Sequence, residues 1–295
     1  MKKGFVLIST LALILILSFL VLVLSRTIYT DTLKTNIYSI SIEKRIELIN
    51  AEKILVDTFI SNSDRLRNVE LAEGELNFMI NSKISDLLIE LNDLSTCFNL
   101  NSLIKPFRSI YVKNELVGER FKNFLKISDV DRNKHREFID RLYDSLDTDS
   151  LPEPFGAEDL FYIAEGGLSL SPDQPYLHKS QIKNLSLLTD NEVLQIYPNI
   201  CALPHNELVF NINGLNEQNY LVLLAMSPNL SFNDIERLII NRPPQGYISF
   251  ANVINLTGIS EERIDSSLLI YKPEYLQINY TFDLEGQFFH FYSVI

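Results

Sequence analysis

Several residue types are scarce in this 295-residue chain, and each scarcity excludes something. Only 10 Gly and 11 Pro are present, too few for a collagen-like, low-complexity or largely disordered protein. Two cysteines cannot build a four-cysteine zinc site or a disulfide-rich scaffold, though they can form one disulfide. Basic residues are also short: 26 Lys and Arg stand against 38 Asp and Glu. Beyond residue 26 the count is 23 against 38, so the body of the chain carries about −15 and an anionic bilayer surface would repel it. Phosphate contacts need clustered Lys and Arg, so this balance argues against a nucleic-acid partner. Catalytic motifs are missing too. His135, His178, His205 and His290 share no metal-ligand spacing, and there is no G-x-S-x-G or phosphate loop, so the chain reads as a non-enzyme.

What is present begins at the N-terminus. Met1-Lys2-Lys3-Gly4 leads into Phe5–Leu24, which holds no charge. As a helix at 1.5 Å per residue those 20 positions span about 30 Å, the thickness of a bilayer's hydrocarbon core. Lys2 and Lys3 set that end in the cytoplasm. A cleaved secretory signal would be shorter and would end in a small-x-small site, which Val21-Leu22-Val23-Leu24-Ser25-Arg26 lacks. Two readings of the span remain: a plain signal anchor, or a prepilin-type leader. The leader with Gly4 and Phe5 resembles that of type IV pilins and type II secretion pseudopilins. The resemblance implies cleavage after Gly4 by a prepilin peptidase and methylation of the new N-terminal Phe5. It departs at Ser9, where the family usually has Glu. A subunit without that carboxylate lacks the partner contact to the subunit ahead of it, which suits the end of a filament.

From Arg26 to about Asp64, Ile37, Ile40, Ile42, Ile46, Ile49, Ile54 and Phe59 recur at near-helical spacing without Pro or Gly. The spacing predicts one long helix whose apolar stripe could cover a sheet. The segment around Leu76–Leu94, with Phe78, Ile80, Ile84 and Leu87-Leu88-Ile89-Glu90-Leu91, suits a hairpin on that helix, although short apolar runs do not separate strand from helix.

An internal repeat follows. Phe98-Asn99-Leu100-Asn101-Ser102-Leu103 recurs 112 residues later as Phe210-Asn211-Ile212-Asn213-Gly214-Leu215, and each copy leads into helical patterns. Ser231 and Asp234 mark a helix start. The repeat predicts two related all-α subdomains, 98–207 and 208–269. After Tyr271-Lys272-Pro273, aromatic and β-branched runs flank Asp283-Leu284-Glu285-Gly286, the pattern of a terminal β-hairpin. The organisation read from these parts is a leader (1–4), a membrane segment (5–25), a core made of 26–97 with 270–295, and the two helical subdomains inserted between. The fold class is α+β: a long N-terminal helix packed on a small antiparallel sheet, carrying a large all-α insertion.

Taken in order, the parts resemble the protein K family of minor pseudopilins in the general (type II) secretion pathway. The motifs that carry the likeness are Cys97-Phe98-Asn99-Leu100-Asn101-Ser102-Leu103, Asp144-Ser145-Leu146-Asp147-Thr148-Asp149, Gly156-Ala157-Glu158-Asp159-Leu160-Phe161-Tyr162, Cys201-Ala202-Leu203-Pro204, Arg242-Pro243-Pro244-Gln245-Gly246-Tyr247 and Pro273-Glu274-Tyr275-Leu276. Ser145 replaces the tryptophan usual in the acidic run, and Gly214-Leu215 replaces a small Thr-Ala. The resemblance implies a pilin-like core with SAM-like or helix-hairpin-helix-like subdomains. It also implies a place at the tip of the secretion pseudopilus beside I-like and J-like subunits. The location implied is single-pass in the bacterial inner membrane, with the ectodomain in the periplasm. A minor pilin of a type IV pilus or DNA-uptake system is the alternative.

Two site expectations rest on this likeness. By themselves Asp144, Asp147, Asp149, Glu158 and Asp159 read as a solvated acidic loop; the family match implies that they bind Ca²⁺. Cys97 and Cys201 would otherwise be two buried thiols. Because each borders a matched motif in an oxidising compartment, the resemblance implies a disulfide between them. The segment Leu224–Val253 also resembles a helix-hairpin-helix. Its hairpin offers a single basic side chain, Arg242, with Asp234 and Glu236 nearby, so it reads as a packing module rather than a nucleic-acid clamp.

Overall fold

The computed structural model describes residues 2–61, 67, 69, 72–74, 77, 87–166, 171–284 and 287–295. Helix α1 (Lys2–Ser61) is continuous for 60 residues, about 90 Å at the α-helical rise. Its N-terminal part is long and apolar enough to cross a membrane, and from Thr10 to Leu24 its side chains are exposed among the described residues.

Near its C-terminal end α1 lies on a three-stranded antiparallel sheet of order β1-β8-β9, made of β1 (Leu87–Asp93), β8 (Leu276–Leu284) and β9 (Gln287–Val294). Alternation decides the buried face: Leu87, Ile89 and Leu91 of β1 pair with Phe282, Tyr280 and Ile278 of β8, and all six are buried. The helix contributes Leu48, Ala51 and Leu55, spaced for one face, to the same core. This corrects the expected stripe. Ile37, Ile42, Ile46 and Ile49 are exposed, and Ile46 keeps 58% of its surface. Ala51 has no side chain beyond Cβ, which allows close approach of helix and sheet, whereas Ile42, Ile46 and Ile49 lie on another face and Ile37 is exposed three turns before Leu48. The expected hairpin over 76–94 is one strand, β1, among the described residues; Phe78, Ile80 and Ile84 lie outside them. Asn77 borders β1 by a two-way amide bond to Ile89, Nδ2 donating to its carbonyl at 2.7 Å and Oδ1 accepting from its N–H at 2.9 Å. The terminal hairpin forms as the sequence predicts, from β8 and β9.

Between β1 and β8 lies the insertion. Its helices are α2 (Glu115–Ile127), α3 (His135–Leu146), α4 (Asp159–Ala164), α5 (Asp190–Ile196), α6 (Tyr220–Met226), α7 (Phe232–Ile240) and α8 (Phe250–Thr257). One apolar core runs from Phe98 to Leu269 through both halves. Helices α2 and α6, the equivalents in the two repeat copies, pack together. Short extended pieces join the helices: a hairpin of β3 (Ile104–Phe107) and β4 (Ile110–Lys113), and two parallel two-residue ladders.

Those ladders explain the repeat. β2 (Phe98–Asn99) pairs with β5 (Ile200–Cys201), and β6 (Phe210–Asn211) pairs with β7 (Leu269–Ile270). Phe98 and Phe210 are fully buried. Asn99 and Asn211 cap the 3₁₀ turns that follow, each accepting a hydrogen bond from the N–H two residues on at 3.2 Å. The second asparagine of each copy is a buried clip. Asn101 donates to the carbonyls of Tyr176 (2.9 Å) and Leu203 (2.8 Å) and accepts from the Tyr176 N–H at 2.7 Å. Asn213 repeats this with Tyr247 (2.9 Å), Tyr271 (2.8 Å) and the Tyr247 N–H (2.6 Å). A side-chain amide suits this place because it offers two donors and an acceptor to backbone that no ladder reaches.

Candidate functional site

The acidic residues are assembled by the end of α3 and the loop behind it. Helical spacing puts Asp140, Asp144 and Asp147 along one side of α3's last turns. There the helix's own partial negative charge disfavours carboxylates. The chain then folds back, so that the Glu153 N–H donates to Asp144 Oδ1 at 2.9 Å and the Phe155 N–H to Asp140 Oδ2 at 3.1 Å. Gly156 is required by closeness: a Cβ there would collide with the Asp144 carboxylate. Glu158 precedes α4, and its side chain caps nothing.

This arrangement leaves carboxylate oxygens buried with nothing to bond. Asp144 Oδ2, Asp147 Oδ1, Glu158 Oε1 and Asp173 Oδ1 have no hydrogen-bond partner, and neither does the neighbouring Tyr162 hydroxyl. Among the described residues no Lys or Arg makes an ion pair with Asp144, Asp147 or Glu158. Burial raises the Asp144 pKa to about 6, against the pull of the Glu153 N–H. Burial raises Asp147 to about 7, helped by repulsion from Asp149 and Asp144. Glu158 is pushed to about 8 by burial and then by Asp144, Asp173, Asp147 and Asp149. Protons lower this repulsion in part. A hard cation offsets it without protonation, and Ca²⁺ takes six to eight oxygens in flexible geometry. As the side chains lie, no group of three His, Cys, Asp or Glu among the described residues has metal-holding spacing. The fit to a cation therefore rests on the orphaned oxygens and their charge.

Of the five expected residues, Asp144, Asp147 and Glu158 come together and Asp149 stands beside them. Asp159 accepts a hydrogen bond from the Ser171 N–H at Oδ1, 2.8 Å. Asp173 joins the cluster unannounced by the sequence: it sits in Ser171-Pro172-Asp173-Gln174-Pro175 with φ of 48°. The one signal is that turn-forming stretch, whose distance from the acidic run no spacing rule spans.

A second centre is the seam between sheet and insertion. Cys97 and Cys201 are joined as a disulfide, Cα atoms 5.8 Å apart across 104 residues, packed with Leu203, Leu94 and Tyr275. Ser95 Oγ accepts from the Glu274 N–H at 2.9 Å. Asp93 Oδ2 accepts from Asn211 Nδ2 at 2.7 Å and Oδ1 from the Ser95 N–H at 2.8 Å, while burial raises its pKa to about 6.

The remaining candidates have local partners. His135 bonds the Val130 carbonyl, His178 caps a 3₁₀ turn, His205 stacks on Tyr275 and His290 meets Thr281 across the terminal hairpin. Arg242 turns inward, Nη1 donating to the carbonyls of Asn213 (2.7 Å) and Leu215 (2.8 Å). Asp234 accepts from the Ser231 N–H at 2.8 Å, as the start of α7 requires, and pairs with Arg263 at 2.9 Å. The hairpin of the helix-hairpin-helix-like segment is thus held by packing contacts.

Comparison with known proteins agrees with the motifs. Residues 96–205 match the family "Type II secretion system (T2SS), protein K". The chain is 28% identical over 161 residues to a putative type II secretion system protein K of Escherichia coli (strain K12), covering 54% of this chain and 49% of that protein. It is 27% identical over 164 residues to type II secretion system protein K of Aeromonas hydrophila, covering 53% and 50%. The chain therefore spans about half the length of the curated relatives it matches. A chain of the crystallised GspK-GspI-GspJ complex of the enterotoxigenic Escherichia coli type 2 secretion system is similar in fold. Its TM-score is 0.60 at 17% identity, covering 84% of this chain and 93% of that one.

Proposed function

We propose that this chain is a protein K-like minor pseudopilin at the tip of a type II secretion pseudopilus, a structural part of the export of folded proteins rather than an enzyme. The observation that carries the reading is the fold likeness over 84% of the chain, beside this chain's own order of apolar helix, first strand, helical insertion and terminal hairpin. In this reading α1 is anchored in the bacterial inner membrane with its first residues in the cytoplasm and its ectodomain in the periplasm. Prepilin peptidase cuts after Gly4 and Phe5 is methylated. The exposed isoleucine face of α1, unused by its own sheet, packs against I-like and J-like subunits. Ser9 leaves no carboxylate for a subunit ahead, in keeping with a terminal place. Asp144, Asp147, Glu158 and Asp173, with Asp149 beside them, would hold Ca²⁺, which when bound offsets part of their repulsion and fixes the loop after α3.

The experiment is co-expression of the full chain with the I-like and J-like pseudopilins of the same organism, followed by purification in detergent. Co-elution of the three supports the reading, and no association at micromolar concentration overturns it. A deletion strain separates the pilus alternative, since that reading expects lost pili or DNA uptake with secretion intact.

A further inference from the structure

Where β1 ends, the sheet and both halves of the insertion leave a cleft of about 490 Å³, within the range of ligand sites. Among the described residues its walls carry the charges of Lys179 and Arg242, with Arg67 at the edge, against one acid, Asp93. Asp93 belongs to the wall itself, bonded to Asn211 and Ser95.

Lys179 and Arg242 are held in place but not neutralised. Lys179 Nζ donates to the Tyr197 carbonyl at 2.8 Å and lies 4.5 Å from the centre of that ring. Arg242 is fixed through Nη1 on two carbonyls. Carbonyls satisfy donors without cancelling a full charge. Among the described residues neither cation has a carboxylate within ion-pair distance. Burial lowers the Lys179 pKa, as it does for a cation lacking a counter-charge. Elsewhere in this acidic chain, partly buried cations have acids: Arg120 has Asp265, Lys134 has Glu192, Arg141 has Glu137. Two oriented cations without acids, facing one cleft, therefore stand out by charge.

We infer that this cleft binds an acidic peptide segment of a partner protein, with Lys179 and Arg242 receiving its carboxylates. The side-chain amides of Gln218 and Gln277 line the same cleft and suit the backbone of an extended segment. This inference stands apart from the pseudopilus reading, since it depends only on the charges of the cleft.

The test uses the full chain in detergent and a fluorescein-labelled Asp-Glu-Asp-Glu peptide, read by anisotropy. Saturable binding is expected, absent for Asn-Gln-Asn-Gln, and weakened about tenfold by Lys179→Gln, the loss of one such contact. Raising salt from about 0.1 to about 0.5 M should weaken it as well. Lys122→Gln, which removes an exposed lysine paired with Glu119, should leave it unchanged. Glutarate serves as the small-carboxylate competitor. No saturable binding by the wild-type chain, equal binding of the neutral peptide, or unaltered affinity in a folded Lys179→Gln variant overturns the inference. Glutarate that binds as tightly as the peptide also overturns it, because the ligand is then a small carboxylate. If Lys179→Gln fails to fold, the neutral-peptide and salt arms on the wild-type chain decide alone.

Discussion

The acidic cluster makes the chain's stability depend on pH in an uncommon direction. An acid whose pKa is higher folded than unfolded favours the fold fully below its unfolded value and loses that advantage as pH rises through its folded value. Asp144 is fully buried and moves from 3.8 to about 6. Two pH units at about 1.4 kcal/mol each make this one group worth about 3 kcal/mol across the window. Asp147 and Glu158, raised to about 7 and about 8, act in the same sense, but the three are coupled and do not sum. The chelated chain should therefore lose stability between about pH 4 and pH 8. For about 3 kcal/mol in a chain of this size the melting temperature should fall by roughly 6–12 °C. Calcium needs the deprotonated carboxylates, so its stabilisation should grow over the same window and cancel the fall, by about 2.7 kcal/mol at a hundredfold excess over Kd. The assay is thermal unfolding of the detergent-purified chain at pH 4 and pH 8, with chelator and with millimolar Ca²⁺. Asp147→Asn should raise the chelated melting temperature at pH 8 and remove the calcium response. A chelated melt that is flat or rises from pH 4 to pH 8 would refute the electrostatic reasoning, and a calcium-independent melt at pH 8 would refute the metal.

Other outcomes follow from the same geometry. The disulfide closes 104 residues, so Cys97→Ser with Cys201→Ser should lower stability by about 3–5 kcal/mol in urea unfolding; a midpoint equal to the oxidised parent's would count against it. Asn213→Ala leaves the Tyr247 N–H and the Tyr247 and Tyr271 carbonyls unpaired, and a loss of about 3 kcal/mol or more is expected. Asn101→Ala should behave alike because its bonds are alike, and a loss below about 1 kcal/mol in either variant would contradict the clip. Gly246→Ala should also destabilise: its φ is 78°, and the added Cβ would press on the Asn213 amide at 2.9 Å, so an unchanged melt would refute that contact.

Much of this molecule was legible as local pattern. The uncharged run Phe5–Leu24, the absence of breakers after it and the aromatic alternation of the last strands fix elements through spacing that neighbours along the chain impose. The doubled Phe-Asn-x-Asn announced a shared unit before any contact was known. Its purpose was not visible. Asn101 reaches Tyr176 and Leu203, 75 and 102 residues away, and such partners are chosen by which backbone groups remain unpaired once the core closes.

The sequence by itself determined an apolar helix, a helix-and-sheet core, two repeat copies and an acidic loop, because hydrophobic period and charge need only neighbours to act. Tertiary structure alone decided that Leu48, Ala51 and Leu55 meet the sheet; that Asp173 comes beside Glu158; and that Lys179 and Arg242 face one cleft. Each of these depends on close packing between distant segments. There, which face fits, and which charge is left without a partner, is set by shape and desolvation rather than by order along the chain.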